Sequence, residues 1–353
     1  MKRLAIFVSL AAASALAFAS CSGGYRRFQA HMIGPFDTVT VFLAYAESER
    51  AFSRYADIVF GRLEELHRLF DIFNAYEGVN NLHTINANAG IAPVAVEREV
   101  IDMLLAAREG YRITGGMTNA AMGAVLRIWH DYRGRGLANP AGATLPPMPA
   151  LREAGAHIDM ANVVIDEAGG TVFLRDPEMS LDGGAVAKGY AVELAFAAAQ
   201  DAGLRTGLLS VGGHVIVAGA PPGRGHWNVA VQNPEAGMDG APDSVDTLAM
   251  TSGTVSVSGA YQRFFMVDGR FFGHVIDPAT LMPADLHLQV TVIHPRSWMA
   301  DVLSTALFVL PMEEGFALAT EMGAEAFWID RYGGWFATPG YGRFSSAFGQ
   351  AVR

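Results

Sequence analysis

The sequence has 353 residues, 51% of them hydrophobic, which is enough for a sizeable core. Its 25 basic and 35 acidic residues give a formal net charge of −10, which argues against a broad nucleic-acid-binding surface. A polyanionic ligand would therefore need a local site, built from backbone groups or assisted by a metal ion.

The N-terminus has the pattern of a secretory signal. Lys2 and Arg3 precede an apolar run over residues 4–18, which is shorter than the roughly 20 residues needed to span a bilayer. Small residues then lead to Cys21, the single cysteine, which cannot form an internal disulfide. We therefore predict a lipoprotein signal peptide over residues 1–21 and lipidation of Cys21.

The predicted signal makes the protein an exported one, anchored to the membrane by lipid and facing the periplasm or the cell exterior. The alternative is an ordinary signal peptide in which Cys21 is incidental, because Phe18 is a less usual residue than leucine three positions before the cysteine. After the signal we expect a linker over residues 22–30 and one domain over residues 31–353.

The first half of this domain predicts both strands and helices. β-Branched and aromatic residues indicate a strand, apolar residues at helical spacing indicate helices, and Asn, Gly and Pro indicate loops. In chain order we predict a strand over 32–46, a long amphipathic helix from Glu47, a functional loop over 74–90, helices over 97–115 and from Ala121, and an exposed connection over 140–149.

The second half begins with a predicted hairpin, 163–165 with 171–174, and a helix from Val186. Strands are then predicted over 208–211, 215–217, 227–231, 254–257, 271–276 and 289–293, and helices over 298–310 and 312–322. Strands before, between and after helices indicate an α+β fold with mixed sheets and packed helices.

Residues 181–190 predict a tight turn from a strand into a helix through two glycines. Such a turn lets the backbone approach a ligand closely, and the first helical N–H groups favour an anion. Asp182 can accept hydrogen bonds, and Lys188 can meet a phosphate. A plain strand-to-helix turn with a surface lysine is an equally good interpretation of this segment alone.

Asp301 and Thr305 are four residues apart in a predicted apolar helix, so they share one face. Their hard oxygen atoms suit Mg²⁺, which also keeps water and phosphate ligands. In isolation, Asp301 would equally well be explained as a carboxylate that stabilises the first helical turn.

Residues 256–265 and 273–278 place small residues beside charged ones. Ser258 and the glycine after it permit a flat ring to approach, and Arg263 can pair with a phosphate. His274 and Asp277 could do acid–base or orienting work. A hairpin with a core histidine and a turn-forming Asp-Pro pair is the alternative.

Taken together and in order, these segments resemble the FAD:protein FMN transferase family, also called ApbE, over nearly the whole mature chain. The matching segments are Met32-Ile33-Gly34-Pro35-Phe36-Asp37-Thr38, Phe70 to Asn74, Thr118 to Gly123, Asp182 to Tyr190, Val211-Gly212-Gly213, Ser258 to Arg263, His274 to Pro278 and Ala300 to Ala306. Each segment is weak alone, but their common register is specific.

The resemblance implies an α+β fold that binds FAD as a substrate in a cleft, with Mg²⁺ on its pyrophosphate. By matching positions, the metal ligands would be Asp301, Thr305 and the carbonyl of Ala185. FAD would contact Met32, Phe73, Met117, Thr118, Asn119, Asp182, Lys188, Ser258, Arg263 and Ile276. His274 and Asp277 are the candidate catalytic residues beside them.

The resemblance also implies the reaction: AMP leaves FAD, and a threonine or serine hydroxyl of an acceptor protein takes FMN. The acceptor would be a membrane or exported redox subunit with an Asp-Gly-x-Ser/Thr-Gly-Ala-Ser/Thr-like motif. Two alternatives are a Mg²⁺-dependent FAD pyrophosphatase, with water as the acceptor, and a non-catalytic FAD-binding lipoprotein.

Four positions depart from the family pattern. Asn119 replaces a usual aspartate, Phe73 a frequent tyrosine, His214 a common acidic residue and Leu281 a usual glycine.

Overall fold

A computed structural model describes residues 24–238, 240–261 and 263–348. The predicted signal peptide and its lipidation site, Cys21, lie outside these ranges. Within them, no helix combines the length and the apolar character that crossing a membrane requires.

The described residues form eight α-helices and fifteen strands. The helices are α1 (Glu49–Phe70), α2 (Leu82–Ala87), α3 (Arg98–Ile113), α4 (Gly123–Ala138), α5 (Met148–Gly155), α6 (Ala187–Asp201), α7 (Ser297–Val309) and α8 (Met312–Glu321). The strands are β1 (Arg26–Ile33), β2 (Val39–Ala46), β3 (Val94–Ala95), β4 (Val163–Asp166), β5 (Thr171–Leu174), β6 (Gly207–Val211), β7 (His214–Ala218), β8 (Trp227–Gln232), β9 (Ser244–Met250), β10 (Ser252–Gly259), β11 (Phe264–Val267), β12 (Arg270–Gly273), β13 (His287–His294), β14 (Glu325–Asp330) and β15 (Trp335–Ala337).

An eight-stranded antiparallel sheet is the centre of the fold, with strand order β1-β2-β6-β7-β10-β13-β14-β15. Helix α6 packs between α1 and α7, and α7 lies on β10 and β13. A second core, which includes Trp227, Leu248, Phe327 and Tyr341, joins the sheet to the β8–β9 ribbon and the C-terminal segment.

Strand β10 shows why its polar residues lie where they do. Successive side chains of a strand point to opposite faces of the sheet. Val255 and Val257 therefore pack in the core beneath the sheet, while Ser256 and Ser258 face Ser304 of α7. The alternation of β10 thus places hydroxyl groups between the sheet and α7.

A smaller apolar cluster holds α4, α5 and β11 together. Trp129 of α4 packs edge-to-face on Phe265 of β11, and its Nε1 donates a 3.0 Å hydrogen bond to the carbonyl of Leu281. This cluster fixes the rotation of α4, whose inner face lies beside the cleft described below.

The α+β fold class is confirmed, but several strands differ from the prediction. The predicted strand over 32–46 is two strands, because Phe36 and Asp37 have φ of 56° and 52° and turn the chain back. Residues 26–30 belong to β1 rather than to a linker. The predicted strand over 271–276 ends at Gly273, and β3, β9, β11, β14 and β15 were not predicted.

Candidate functional site

A cleft of about 770 Å³ lies between the main sheet with its helices and the unit that carries α4. A volume of this size suits a large organic ligand. Thirteen of the predicted site residues line the cleft: Phe73, Met117, Thr118, Asn119, Asp182, Ala185, Lys188, Ser258, Arg263, His274, Ile276, Asp301 and Thr305.

Two predicted site residues, Met32 and Asp277, are not among the residues that line this cleft. Met32 lies on β1 opposite Thr40, and its side chain packs on the main core. The carboxylate of Asp277 accepts hydrogen bonds from the amide of Ala279 (2.8 Å) and from Thr280 Oγ1 (2.9 Å). Asp277 therefore forms a turn, as its place before proline also allows.

Asp301 is the most deeply buried carboxylate of the cleft, with 4% of its surface exposed. Its Oδ2 accepts a 2.8 Å hydrogen bond from the amide of Gly189, and its Oδ1 accepts one of 3.4 Å from Ser256 Oγ. Ser304 Oγ in turn lies 3.1 Å from Ser256 Oγ and 3.0 Å from Ser258 Oγ. This network fixes the carboxylate from behind, where α6, α7 and β10 meet.

His214 completes the network beneath Asp301. Its two ring nitrogens lie 3.1 Å from Ser256 Oγ and 2.7 Å from Ser297 Oγ, and Nδ1 is 3.7 Å from Asp301 Oδ1. Burial lowers the pKa of His214 to about 4, although the Asp301 charge acts in the opposite direction. The histidine is therefore neutral at physiological pH, and its contact with Asp301 is not an ion pair.

Gly189 is required where α6 approaches α7. A Cβ atom at this position would lie 2.7 Å from Asp301 Cβ and 2.7 Å from the carbonyl oxygen of Ser297. Both contacts are shorter than packed atoms allow.

We expect Gly189→Ala to lower the free energy of unfolding by about 1–3 kcal/mol, because the added methyl group must push α6 and α7 apart. Displacement of Asp301, a predicted metal ligand, should also weaken the binding of Mg²⁺ that the sequence predicts. The control is Gly61→Ala on α1, where nothing lies within 4 Å of an added Cβ. That control should raise stability by about 1 kcal/mol or less, and equal melting temperatures for the two variants would contradict the close-packing argument.

The glycine turn before α6 presents backbone atoms to the cleft. Asp182 Oδ1 accepts a 2.8 Å hydrogen bond from the amide of Gly184, and the amide of Asp182 donates to the carbonyl of Ala120. The amide of Gly189 points to Asp301, and no described backbone amide donates to the carbonyl of Ala185.

Three oxygen donors from Ala185, Asp301 and Thr305 therefore line the same cleft. They are hard ligands and carry a single carboxylate, which suits Mg²⁺ if a ligand supplies further oxygens. Among the described residues, no group of three or more His, Cys, Asp or Glu side chains forms a metal site of its own. The donor set thus fits a metal that binds together with a phosphate-bearing ligand.

Asn119 and Thr118 are held tightly at the start of the loop before α4. Asn119 Nδ2 donates to the carbonyl of Ile158 (2.9 Å), and its Oδ1 accepts from the amide of Ala121 (2.8 Å). Thr118 Oγ1 donates to the carbonyl of Val302 on α7 (3.0 Å). The first of these bonds needs an amide donor, which an aspartate carboxylate could not supply.

Phe73 stands at the cleft with 62% of its surface exposed. Its ring lies 5.8 Å from that of His130 on α4. Asp71 holds the turn that carries it: this carboxylate accepts hydrogen bonds from the amides of Phe73 (2.6 Å) and Asn74 (3.2 Å), from Asn74 Nδ2 (2.9 Å) and from Tyr76 Oη (2.7 Å). Burial opposes the charge of Asp71, but these bonds prevail and lower its pKa.

We expect Asp71→Ala to raise the KM for the cleft's ligand about tenfold, because hydrogen bonds to a charged group contribute roughly 1.5–3 kcal/mol and here they order the Phe73 turn. Steady-state kinetics over a range of ligand concentration would measure this. Asp57→Ala, an exposed position on α1, is the control. A KM that stays at the wild-type value would mean that Asp71 does not position Phe73.

His274 lies in the most cationic part of the cleft. Burial of its ring, together with the charges of Arg263, Arg133 and Lys188, lowers its pKa to about 4. Its Nδ1 is buried and has no hydrogen-bond partner among the described residues. A neutral imidazole can act as a proton acceptor.

Sequence reasoning missed several cleft residues. Phe36, Asp71, His130 and Arg133 line it, while His214 and Ser256 support it from beneath. The positive φ of Phe36 and Asp37 is backbone strain at the cleft edge, and the Gly34-Pro35 pair before them was the turn signal available. The helical spacing of His130 and Arg133 on one face of α4 was the signal available for those two.

A sequence model of the ApbE family matches residues 38–328. The chain is 34% identical over 295 residues to an FAD:protein FMN transferase of Treponema pallidum, covering 78% of this chain and 79% of that protein. A second FAD:protein FMN transferase, from Klebsiella pneumoniae, is 29% identical over 259 residues, or 71% and 77% of the two chains. The crystal structure of an ApbE protein from Thermotoga maritima superposes with a TM-score of 0.80 at 24% identity, over 90% of this chain and 99% of the other. The apo form of the flavinyl transferase ApbE of Pseudomonas stutzeri gives a TM-score of 0.72 at 25% identity, over 92% and 96%.

Proposed function

This chain belongs to the ApbE family of flavin transferases, and we propose that it moves FMN from FAD to a threonine or serine hydroxyl of an acceptor protein, with Mg²⁺ as cofactor and AMP as the leaving group. The observation that carries the finer part of this proposal is the juxtaposition of Asp301, Thr305 and Ala185 with the cationic residues around His274 in one cleft. It supports a site for a metal-bound pyrophosphate.

The residues of the cleft have different proposed roles in the reaction. Asp301, Thr305 and the Ala185 carbonyl would hold Mg²⁺, which supplies neutralisation of the charge that develops on the pyrophosphate. Lys188 and Arg263 add fixed positive charge for the phosphates. Phe73, exposed at the cleft edge, offers a ring face for the isoalloxazine.

The chemical step forms one bond and breaks another. The acceptor hydroxyl oxygen attacks the phosphorus of the FMN half, and a nitrogen of His274 takes the hydroxyl proton. The bond between that phosphorus and the bridging oxygen breaks, and AMP leaves with the bonding electron pair. The protein needs no nucleophile of its own, which agrees with a cleft whose serines are bound to each other.

The deciding experiment is incubation of the mature protein with FAD, Mg²⁺ and an acceptor protein that carries an Asp-Gly-x-Ser/Thr-Gly-Ala-Ser/Thr-like motif. We expect in-gel flavin fluorescence of the acceptor and release of AMP, both abolished by EDTA. AMP and free FMN without a labelled acceptor would instead indicate the pyrophosphatase. Intact FAD throughout would leave a flavin-binding protein.

We also propose that the protein works outside the cytoplasm, attached to the membrane by a lipid on Cys21, where its acceptor would be a membrane or exported redox subunit. The support is the sequence pattern of residues 1–21. Mass spectrometry of the mature protein tests it: a diacylated N-terminal cysteine is expected, and an unmodified Cys21 would contradict the anchor.

A further inference from the structure

Helix α4 presents basic side chains to the cleft, and none of them is among the residues that the sequence predicts to contact FAD. His130 and Arg133 are three residues apart, share one face of α4 and both line the cleft. Trp129, four residues before Arg133 and one turn away on the same side of α4, packs in the core and is bonded to the Leu281 carbonyl. The direction of this basic face is therefore fixed by packing.

Arg133 is half-buried, yet no described acidic side chain lies within ion-pair distance of it. Its neighbour Arg135, by contrast, points away and pairs with Asp131. Burial and the charge of Arg263 lower the pKa of Arg133, while Asp182 acts in the opposite direction. A guanidinium that is partly desolvated and faces a second cation costs free energy unless an anion binds beside it.

The charges around His274 locate that anion. Arg133, Arg263 and Lys188 line the same cleft as His274, and the charges of all three act on the histidine ring. Asp182, which is nearby, already accepts a hydrogen bond from the amide of Gly184 and does not pair with either arginine in the described structure. Four aspartates line the cleft, but Asp182 is the one whose charge acts on Arg133, and it is opposed there by the like charge of Arg263.

We propose that Arg133 binds the pyrophosphate of FAD together with Arg263 and Lys188. The inference rests on the proposed function in that FAD is the ligand. A guanidinium presents two parallel N–H donors to phosphate oxygens, and its position on a core-packed helix means that no loop must order first. Arg133 thus determines specificity for the nucleotide part of the substrate.

The test is equilibrium binding in EDTA, where turnover does not interfere, with FAD, ADP and riboflavin as the three ligands. ADP carries the pyrophosphate without the flavin, and riboflavin carries the flavin without phosphate. For Arg133→Met we expect the Kd for FAD and for ADP to rise about tenfold or more, as for loss of a charge-assisted hydrogen bond, and the Kd for riboflavin to change less than about twofold. Arg127→Met, an exposed arginine on the same helix, should change none of the three.

Several outcomes would overturn the proposal. One is an unchanged affinity of Arg133→Met for ADP. If the KM for the acceptor protein rises while the affinity for ADP is unchanged, Arg133 contacts the acceptor and not the pyrophosphate. Another is an equal loss for riboflavin and ADP, which would indicate a packing role. If Arg133→Met does not fold, Arg133→Lys is measured instead. An affinity of Arg133→Lys for ADP that equals the wild-type affinity, in 50 mM as well as in 300 mM salt, would overturn the proposal. Wild-type binding of ADP without any FMN transfer would refute the proposed function and leave the Arg133 assignment standing.

Discussion

Replacement of Asp301 by asparagine is expected to reduce the rate of FMN transfer by at least about 100-fold, because Asp301 is the proposed Mg²⁺ ligand and a bound metal contributes several kcal/mol to stabilising the transition state. Asparagine keeps the shape of the side chain and one oxygen but removes the charge. It also places an NH₂ group where Gly189 N–H or Ser256 Oγ now donates, so one of these donors loses its acceptor. The rate of transfer should therefore fall for two reasons: Mg²⁺ binds more weakly, and the side chain at position 301 is held less firmly.

The measurement is the rate of acceptor labelling as a function of Mg²⁺ concentration. A weakened metal site predicts a higher Mg²⁺ concentration for half-maximal rate, and a lower maximum. Asp57→Asn, at an exposed position of α1, is the matched control and should behave as wild type. Near wild-type transfer by Asp301→Asn, with an unchanged Mg²⁺ requirement, would show that the cation binds elsewhere.

The longer helices were predictable because their signals are local, whereas the short helices α2 and α5 were not predicted. The apolar residues of α1 recur at helical spacing, and Ser48 caps the helix by accepting a hydrogen bond from the amide of Ala51. Asp301 and Thr305 could likewise be placed on one face of α7 from spacing alone. What spacing could not supply was the strand opposite that face, so Ser256 entered the Asp301 network only in the structure.

The strands were less predictable because their partners are distant in sequence. Strand β14, for example, pairs with β13, and its four central residues are all buried, so they show no alternation of polar and apolar positions. The turn at Phe36 and Asp37 was hidden for a different reason. Aspartate tolerates positive φ but phenylalanine rarely adopts it, and the aromatic and β-branched residues on both sides favoured one continuous strand.

The structure gives a physical explanation for two of the departures from the family pattern, Leu281 and His214. Leu281 stands where glycine is usual and has a φ of 61°, which explains the preference for glycine at that position. Here its side chain is buried beside Gly155, where an added Cβ would meet Leu281 at 2.7 Å. Burial of an isobutyl group offsets the strain of the backbone. His214, another departure, is a neutral bridge between Ser256 and Ser297.

His274→Ala is expected to lower kcat by about 10²–10⁴-fold while the Kd for FAD changes little, because general base catalysis contributes an acceleration of that size. Asp277→Ala, three residues further along, is the comparison. Its carboxylate serves the turn at Ala279 and Thr280, so we expect a modest loss of stability and transfer within a few-fold of wild type. A larger catalytic loss for Asp277→Ala than for His274→Ala would reverse the assignment.

The pH dependence provides an independent test of the same histidine. A general base must be neutral, so activity is lost as the pH falls through its pKa. The pKa of His274 is lowered from 6.5 to about 4, so the acid limb of kcat/KM should lie well below pH 6.5 and the profile should stay level between pH 8 and about 6. His274→Ala should lose that acid limb while keeping its residual rate. A fall in wild-type kcat/KM centred near pH 6.5 would show that burial and the cations around His274 do not control its protonation.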